Sequence, residues 1–193
     1  MTHRHYLLNK PHSMLSQFTT RQTRQTRRRN KRMLGELYDF APGTMAIGRL
    51  DEHSEGLLLL TTDGKESERI RSAGVEKEYY AQVLGEVGDG AFAKLRGGLE
   101  IRLDGGAYST RPCLACAIPA PGFSFLPRRR HREQHGPASW VSLTLREGKY
   151  RQARKMLAAV GHPVIRLVRV RVGALELGGL GAGEVKEVAA LGV

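Results

Sequence analysis

The sequence predicts a fold of the mixed α/β or α+β class, with strands and helices interspersed. Strand-like and helix-like segments follow one another without a regular strand–helix alternation, and this irregular order favours a mixed sheet. The 193 residues fit one domain, residues 1–193, in which two lobes are possible, and they suffice to bury a core without disulfides.

The first elements are defined by breaks in the apolar pattern. Residues 6–9 predict a strand that ends at Pro11, because proline lacks a backbone donor and biases Lys10 towards extended geometry. Residues 33–40 predict one or two helical turns. Apolar runs on both sides of residues 51–56 predict a loop held by two buried strands.

The remaining elements follow the helical and strand periods. A short polar helix is predicted at 65–71 and a helix that Asp89 can cap precedes Gly97. Further segments are predicted as strands at 76–85, 140–145, 164–172 and 185–188, and as a helix at 148–160.

The charge of the chain indicates a polyanionic partner. Lysine and arginine number 31 against 19 acids, a formal net charge of +12, and cations that neutralise phosphates release counterions. Two basic stretches, a loop or arm at 19–33 and an insertion loop at 119–138, favour RNA binding, although solvated charge runs would look the same. No apolar run approaches the ~20 residues of a membrane span and no signal-peptide pattern opens the chain, so no membrane partner is expected.

The two cysteines, Cys113 and Cys116, do not form a metal motif. Their C-x-x-C spacing lacks a second pair of thiols or a histidine pair, so two small residues on a strand or its edge, and no metal site, are expected.

The polar loop is the main candidate for chemistry. It places one arginine, three acids, a histidine and a serine at one point, which suggests a reactive carboxylate on a rigid scaffold: Arg49, Asp51, Glu52, His53, Ser54 and Glu55. Taken alone, Asp51 could equally be a loop cap or an ion-pair partner.

Four blocks in order resemble the RsuA/RluE-type pseudouridine synthases. They are residues 8–11 (LNKP) with 15–19 (LSQFT), 48–61 (GRLDEHSEGLLLLT), 77–83 (KEYYAQV), and 147–156 (EGKYRQARKM) with 160–163 and 166–169. The match spans nearly the whole chain and is nearest to the RluE branch, whose members lack a preceding S4 domain. The sequence departs from the pattern at Arg151, where His or Asn is frequent.

The resemblance implies an isomerase that converts uridine to pseudouridine in ribosomal RNA, without a cofactor. It implies a mainly antiparallel central sheet flanked by helices and loops, with an active-site cleft across it. Asp51 is the implied catalytic carboxylate, Arg154 the cation that keeps it charged, and Tyr79 the aromatic residue that packs on the target base. Basic residues expected to contact RNA are Lys10, Arg49, Lys77, Arg128, Arg129, Arg130, Lys149 and Arg151.

The expected partner is ribosomal RNA, of the large subunit, or a pre-ribosomal particle, bound by a monomer. A bacterial-type cytoplasmic location is expected, with a mitochondrial or plastid matrix as alternatives. The competing hypothesis is a non-catalytic factor for ribosome or mitoribosome assembly that binds RNA through the same fold.

Overall fold

The computed structural model describes residues 2–19, 31–123 and 136–193. The strands are β1 (His5–Lys10), β2 (Met45–Ala46), β3 (Glu55–Thr61), β4 (Lys77–Leu84), β5 (Glu100–Leu103), β6 (Gly106–Ser109), β7 (Leu114–Ile118), β8 (Ala138–Leu145), β9 (Val164–Val172), β10 (Leu175–Glu176) and β11 (Val185–Val188). The helices are α1 (Gly64–Ser72), α2 (Asp89–Gly97) and α3 (Gln152–Ala159). Within these residues, no helix has the length and apolar character to cross a bilayer.

The chain divides into two compact units, Met1–Val75 with Arg169–Val193, and Glu76–Val168. In the first unit β1 lies between β11 and β3 and pairs antiparallel with both. All seven residues of β3 are buried, which explains its continuous run of leucines. In the second unit β8 pairs antiparallel with β4 and β7, and β5 and β6 form a hairpin. The predicted class, mixed α and β with mainly antiparallel strands, is confirmed.

The core of the second unit lies between its strands and two helices. Phe92 and Leu95 of α2 and Met156 and Leu157 of α3 are buried in one cluster with Leu143 of β8. Cys113 packs against this cluster, and its thiol donates to the Leu95 carbonyl at 3.1 Å. Burial raises the pKa of Cys113 to about 11, so the thiol stays protonated at neutral pH.

Of the one or two helical turns predicted at 33–40, one is present, as a short 3-10 turn at Leu34–Glu36, and the backbone that follows it is not helical. Tyr38 and Phe40 both contact the ring of buried Tyr6, with centroid distances of 5.9 and 5.2 Å. Residues two apart point to different sides of a helix, so this shared contact requires a non-helical backbone.

The helices predicted at 65–71 and before Gly97 and the strands predicted at 6–9, 76–85, 140–145, 164–172 and 185–188 lie close to their predicted positions. The buried strand predicted before the loop at 51–56 is reduced to β2, which has two residues and is partly exposed. Asp63 caps α1 by accepting from the backbone N–H groups of Lys65 (2.9 Å) and Glu66 (3.3 Å). The predicted cap of α2 needs correction, because Gly88 is the N-cap and Asp89 is the first helical residue.

β3 and β9 approach each other at a glycine. Gly56 has φ +100°, and a Cβ on it would lie 2.2 Å from the Arg169 carbonyl oxygen and 2.7 Å from the Arg169 nitrogen. Buried Arg169 also donates from Nε to the Leu57 carbonyl at 2.7 Å. No side chain fits at position 56 unless the backbone of one strand moves.

Gly56→Ala should therefore lower the free energy of unfolding by about 2 to 4 kcal/mol, since it combines a positive φ with a backbone clash. Urea denaturation measures the change. Gly90→Ala is the matched control, because Gly90 lies within α2 with no atom within 4 Å of its Cβ position, and it should be neutral or stabilising. Equal stability of the two variants would contradict the close approach.

Candidate active site

Asp51 lies in a turn that leads into β3. β2 pairs with the far end of β3, and the chain returns through a loop in which Ile47 N–H donates to the Leu59 carbonyl at 2.8 Å. Ser54 N–H donates to the Asp51 carbonyl at 3.0 Å and closes the turn. Asp51 is half-buried, whereas Ser54 is 2% exposed. The turn thus anchors its buried end and leaves the Asp51 carboxylate partly accessible.

Buried Ser16 fixes the residue that precedes Asp51. Its hydroxyl donates to the Leu50 carbonyl at 2.9 Å and accepts from the Leu50 N–H at 3.0 Å. A hydroxyl offers one donor and two acceptor sites, so both backbone groups of Leu50 are satisfied by one side chain. The sequence-based prediction missed this role, although Ser16 lies in one of the blocks that carry the resemblance.

Lys10 holds the other side of the same loop. Its ammonium donates to the backbone carbonyls of Met14 at 2.7 Å, Pro11 at 2.9 Å and Glu52 at 3.4 Å. Because Glu52 follows Asp51 directly, one buried cation joins the end of β1 to the Asp51 turn.

The prediction that Lys10 contacts RNA is corrected by its burial, since the side chain is 0% exposed. Desolvation lowers the pKa of Lys10 to about 8, against the attraction of Glu55, Glu52 and Asp51 and together with the repulsion of Arg169. Lys10 is therefore a support for the loop, whereas Arg49 is exposed, and its contact with RNA stays a prediction.

An open pocket of about 510 Å³ adjoins the loop in the first unit. Its lining combines two guanidinium groups with hydroxyl, amide and aromatic side chains: Ser16, Gln17, Phe18, Thr44, Arg49 and Arg71. This combination suits a phosphodiester with an adjoining base, because arginine binds phosphate oxygens and an aromatic ring packs on a base. Ser16 lines the pocket and also binds both backbone groups of Leu50, the residue before Asp51.

Three further predicted site residues lie in the second unit. Tyr79 lies on β4, opposite Leu143 of β8, and is half-buried against the core cluster. Lys77 is the first residue of β4. Arg154 is half-buried on α3 and donates from one terminal nitrogen to the Val164 carbonyl at 3.4 Å.

The turn before α3 is organised by Glu147. Its carboxylate accepts from the Tyr108 hydroxyl at 2.5 Å, from the Arg111 N–H at 3.0 Å and from the Gln152 side-chain amide. These donors outweigh the effect of burial and hold the pKa of Glu147 below its usual value. The amide oxygen of Gln152 in turn accepts from the Lys149 N–H at 3.0 Å.

The predicted helix at 148–160 begins later than expected, at Gln152. Arg151 has φ +52° and ψ +32°, a left-handed conformation that excludes it from the helix. Exposed Lys149 and half-buried Arg151 are thus presented on a fixed turn.

Arg49, Asp51 and Lys10 are brought together in the first unit, and Lys149, Arg151 and Arg154 in the second. Asp51 and Arg154 belong to different units, so their pairing stays a prediction, as does the packing of Tyr79 on a base. Arg128, Arg129, Arg130 and most of the two predicted basic loops lie outside the described residues.

The buried ammonium predicts how stability depends on pH. Lys10 has a folded pKa of about 8 and an ordinary value of 10.5, so between these values the unfolded chain binds more protons and the free energy of unfolding rises with pH. Replacing Lys10 by Met should remove about 2 to 3 kcal/mol of this rise. Urea denaturation of wild type and Lys10→Met at both ends of the interval measures it.

Lys65→Met, at an exposed lysine of α1, is the matched control and should leave the pH profile parallel to that of wild type. A parallel profile for Lys10→Met as well would contradict the burial of a titrating ammonium beneath the loop.

Comparisons with known proteins agree with the ordered blocks. Residues 4–159 match the family model described as RNA pseudouridylate synthase. The chain is 37% identical over 187 residues to ribosomal large subunit pseudouridine synthase E of Vibrio parahaemolyticus, covering 94% of this chain and 72% of that protein. It is 39% identical over 184 residues to the protein of the same name from Xanthomonas campestris, covering 92% and 91%.

The same relation is seen among solved structures. A crystal structure of a pseudouridylate synthase superposes with a TM-score of 0.74 at 26% identity, covering 96% of this chain and 70% of that one. The family match covers well over half of the sequence, and the two relatives share more than a third of their aligned residues with it. The chain belongs to the RNA pseudouridylate synthase family.

Proposed function

We propose that this chain isomerises a uridine of large-subunit ribosomal RNA to pseudouridine, with Asp51 as the catalytic carboxylate. The placement of Asp51 carries the proposal. It is a half-buried acid on a turn fixed by Ser16 and Lys10, and Arg49, two residues before it, lines an open pocket together with Ser16. The names of the two relatives support ribosomal RNA of the large subunit as the substrate.

The chemistry requires one well-placed carboxylate. The bond from ribose C1′ to uracil N1 breaks, the base turns, and C1′ bonds to C5; C5 then loses a proton and N1 gains one, so atoms and electrons balance without a donor. Asp51 would either add to C1′ or remove a proton from C2′, and both roles need its oxygen near the ribose. Tyr79 and Arg154 keep, within this proposal, the roles that the resemblance implies.

The target uridine must leave its stack to reach such a carboxylate, as the substrates of other base-modifying enzymes do. The pocket beside the loop has the guanidinium groups of Arg49 and Arg71 to meet the phosphates of the displaced strand. The proposal includes action as a monomer, on free rRNA or a pre-ribosomal particle, in a cytoplasmic setting.

Asp51→Asn should abolish activity while preserving the fold, because the hydrogen bond that closes the turn uses the Asp51 backbone. We expect pseudouridine formation in protein-free large-subunit rRNA, mapped chemically, to fall by at least about 10²-fold. Asp39→Asn, at an exposed aspartate of the same unit, should keep wild-type activity.

Undiminished activity of Asp51→Asn would overturn the assignment of the catalytic acid. The competing assembly-factor hypothesis makes a different prediction in cells: Asp51→Asn would support normal large-subunit maturation whereas deletion of the gene would not.

RNA affinity should fall steeply with salt, because basic side chains that meet phosphates displace counterions. Arg49→Gln should reduce the slope of log K against log salt concentration by about 0.7 to 0.9, the effect of losing one phosphate contact. Fluorescence anisotropy with labelled rRNA fragments measures the slope.

Lys186→Gln, at an exposed lysine on β11, is the control for net charge and should leave the slope unchanged. The same slope for Arg49→Gln and wild type would exclude Arg49 from the RNA-binding surface.

A further inference from the structure

The turn before α3 presents one aromatic side chain that no part of the proposed chemistry uses. Tyr150 is 64% exposed, and the other large hydrophobic residues exposed in the described part of the chain are Tyr38, Met45 and Leu114. Tyr38 packs edge-on against Tyr6 and Phe40. Tyr150 is therefore the aromatic residue with the more accessible ring, and burial in the core does not explain it.

We propose that Tyr150 is a stacking platform for an unpaired base of the bound RNA. The proposal rests on RNA binding, as the proposed function does, but it assigns a contact separate from Asp51. Base–aromatic stacking needs an accessible ring that is already held in place, and it accepts any base because every base has a π face.

The backbone that carries the ring is held in place before any ligand binds. Gln152 accepts from the Lys149 N–H at 3.0 Å through its side chain and donates its own N–H to the Lys149 carbonyl at 3.1 Å. The side chain of Gln152 also donates to Glu147, which is bonded to Tyr108. A turn closed on both sides in this way loses little conformational entropy when the ring binds a base.

One cation lies over the ring. The Lys155 ammonium lies 5.3 Å from the centroid of the Tyr150 ring and is anchored by a 2.7 Å hydrogen bond to the Arg102 carbonyl. Lys149 and Arg151 flank Tyr150 in sequence, and the Lys149 ammonium lies 5.0 Å from the centroid of the Tyr108 ring. Positive charge at a π face is favourable, and the basic residues next to Tyr150 in sequence add cations for the phosphates on either side of a stacked base.

This setting favours a nucleic acid over a protein surface as the ligand. An apolar protein partner would have to desolvate the Lys155 ammonium in order to cover the ring, whereas RNA supplies an anion for it and for the basic residues next to Tyr150 in sequence. Single-stranded RNA combines flat bases and regularly spaced phosphates, which fits an exposed ring with a cation over it.

The test uses a fluorescein-labelled single-stranded RNA of mixed sequence and an abasic RNA of the same length, with binding followed by anisotropy. Tyr150→Leu should weaken binding of the base-containing RNA by about 5- to 100-fold and leave binding of the abasic RNA unchanged. Tyr150→Phe and Tyr150→Trp should bind like wild type, because both keep an aromatic face. The salt slope should be the same in all four proteins, since no charge is altered.

Leu114→Ala is the matched control, because Leu114 is 68% exposed in the same unit and its loss should not change RNA affinity. If Tyr150→Leu bound RNA with full affinity, the proposal would be overturned, and a protein partner would be the alternative ligand for the exposed ring. Equal losses on base-containing and abasic RNA, or a loss in Tyr150→Phe equal to that in Tyr150→Leu, would also overturn it. The readout is binding alone, so wild type that bound RNA through Tyr150 but made no pseudouridine would refute only the proposed function.

Discussion

A buried ammonium is the interaction on which the candidate active site depends. Lys10 joins three stretches of backbone, at Pro11, Met14 and Glu52, and has no contact with solvent. A charge in such a place is unfavourable unless hydrogen bonds and opposite charges compensate for the lost hydration. Here three carbonyls accept from it and three carboxylates of the Asp51 loop attract it. These contacts offset only part of the cost of desolvation, since the pKa of Lys10 is still lowered to about 8. The hydrogen bond to the Glu52 carbonyl fixes the backbone on the C-terminal side of Asp51.

The turn before α3 is supported by a group of the opposite charge. Glu147 is a carboxylate with three donors around it, whereas Lys10 is an ammonium with three acceptors. Lys10 binds backbone carbonyls directly, whereas Glu147 acts through Gln152, whose side chain it holds and whose amide oxygen accepts from the Lys149 N–H. In both places a charged group supports irregular backbone that no helix or strand pairs. Rigid presentation of a carboxylate matters for catalysis, because a misplacement of about 1 Å can reduce the rate by 10²-fold.

The sequence predicts the regular elements well because their periodicity is local. β4, β8 and β9 follow from alternating patterns, and α1 follows from a polar run that a glycine ends. What it does not predict depends on distant partners. The helical turn predicted at 33–40 is limited to Leu34–Glu36, because two aromatic residues beyond it share contact with Tyr6. The late start of α3 follows from the network around Glu147.

In the candidate site too, residues marked by a local pattern are predicted, and contacts with distant backbone are not. Asp51 and Arg49 are found from the sequence because a polar loop between apolar runs and four ordered blocks mark them. The burial of Lys10 and the role of Ser16 are not found, because a lysine next to a proline and a serine in a polar segment look the same whether they face solvent or backbone. Only the fold shows which carbonyls surround them.

The most direct test is the structure of this protein bound to a substrate RNA. With Asp51 as the catalytic acid, one of its carboxylate oxygens should lie within about 3.5 Å of C1′ or C2′ of an unstacked uridine, with Lys10 still bonded to the Glu52 carbonyl. A uridine ribose held against another carboxylate, with Asp51 turned away from it, would rule out Asp51 as the catalytic acid.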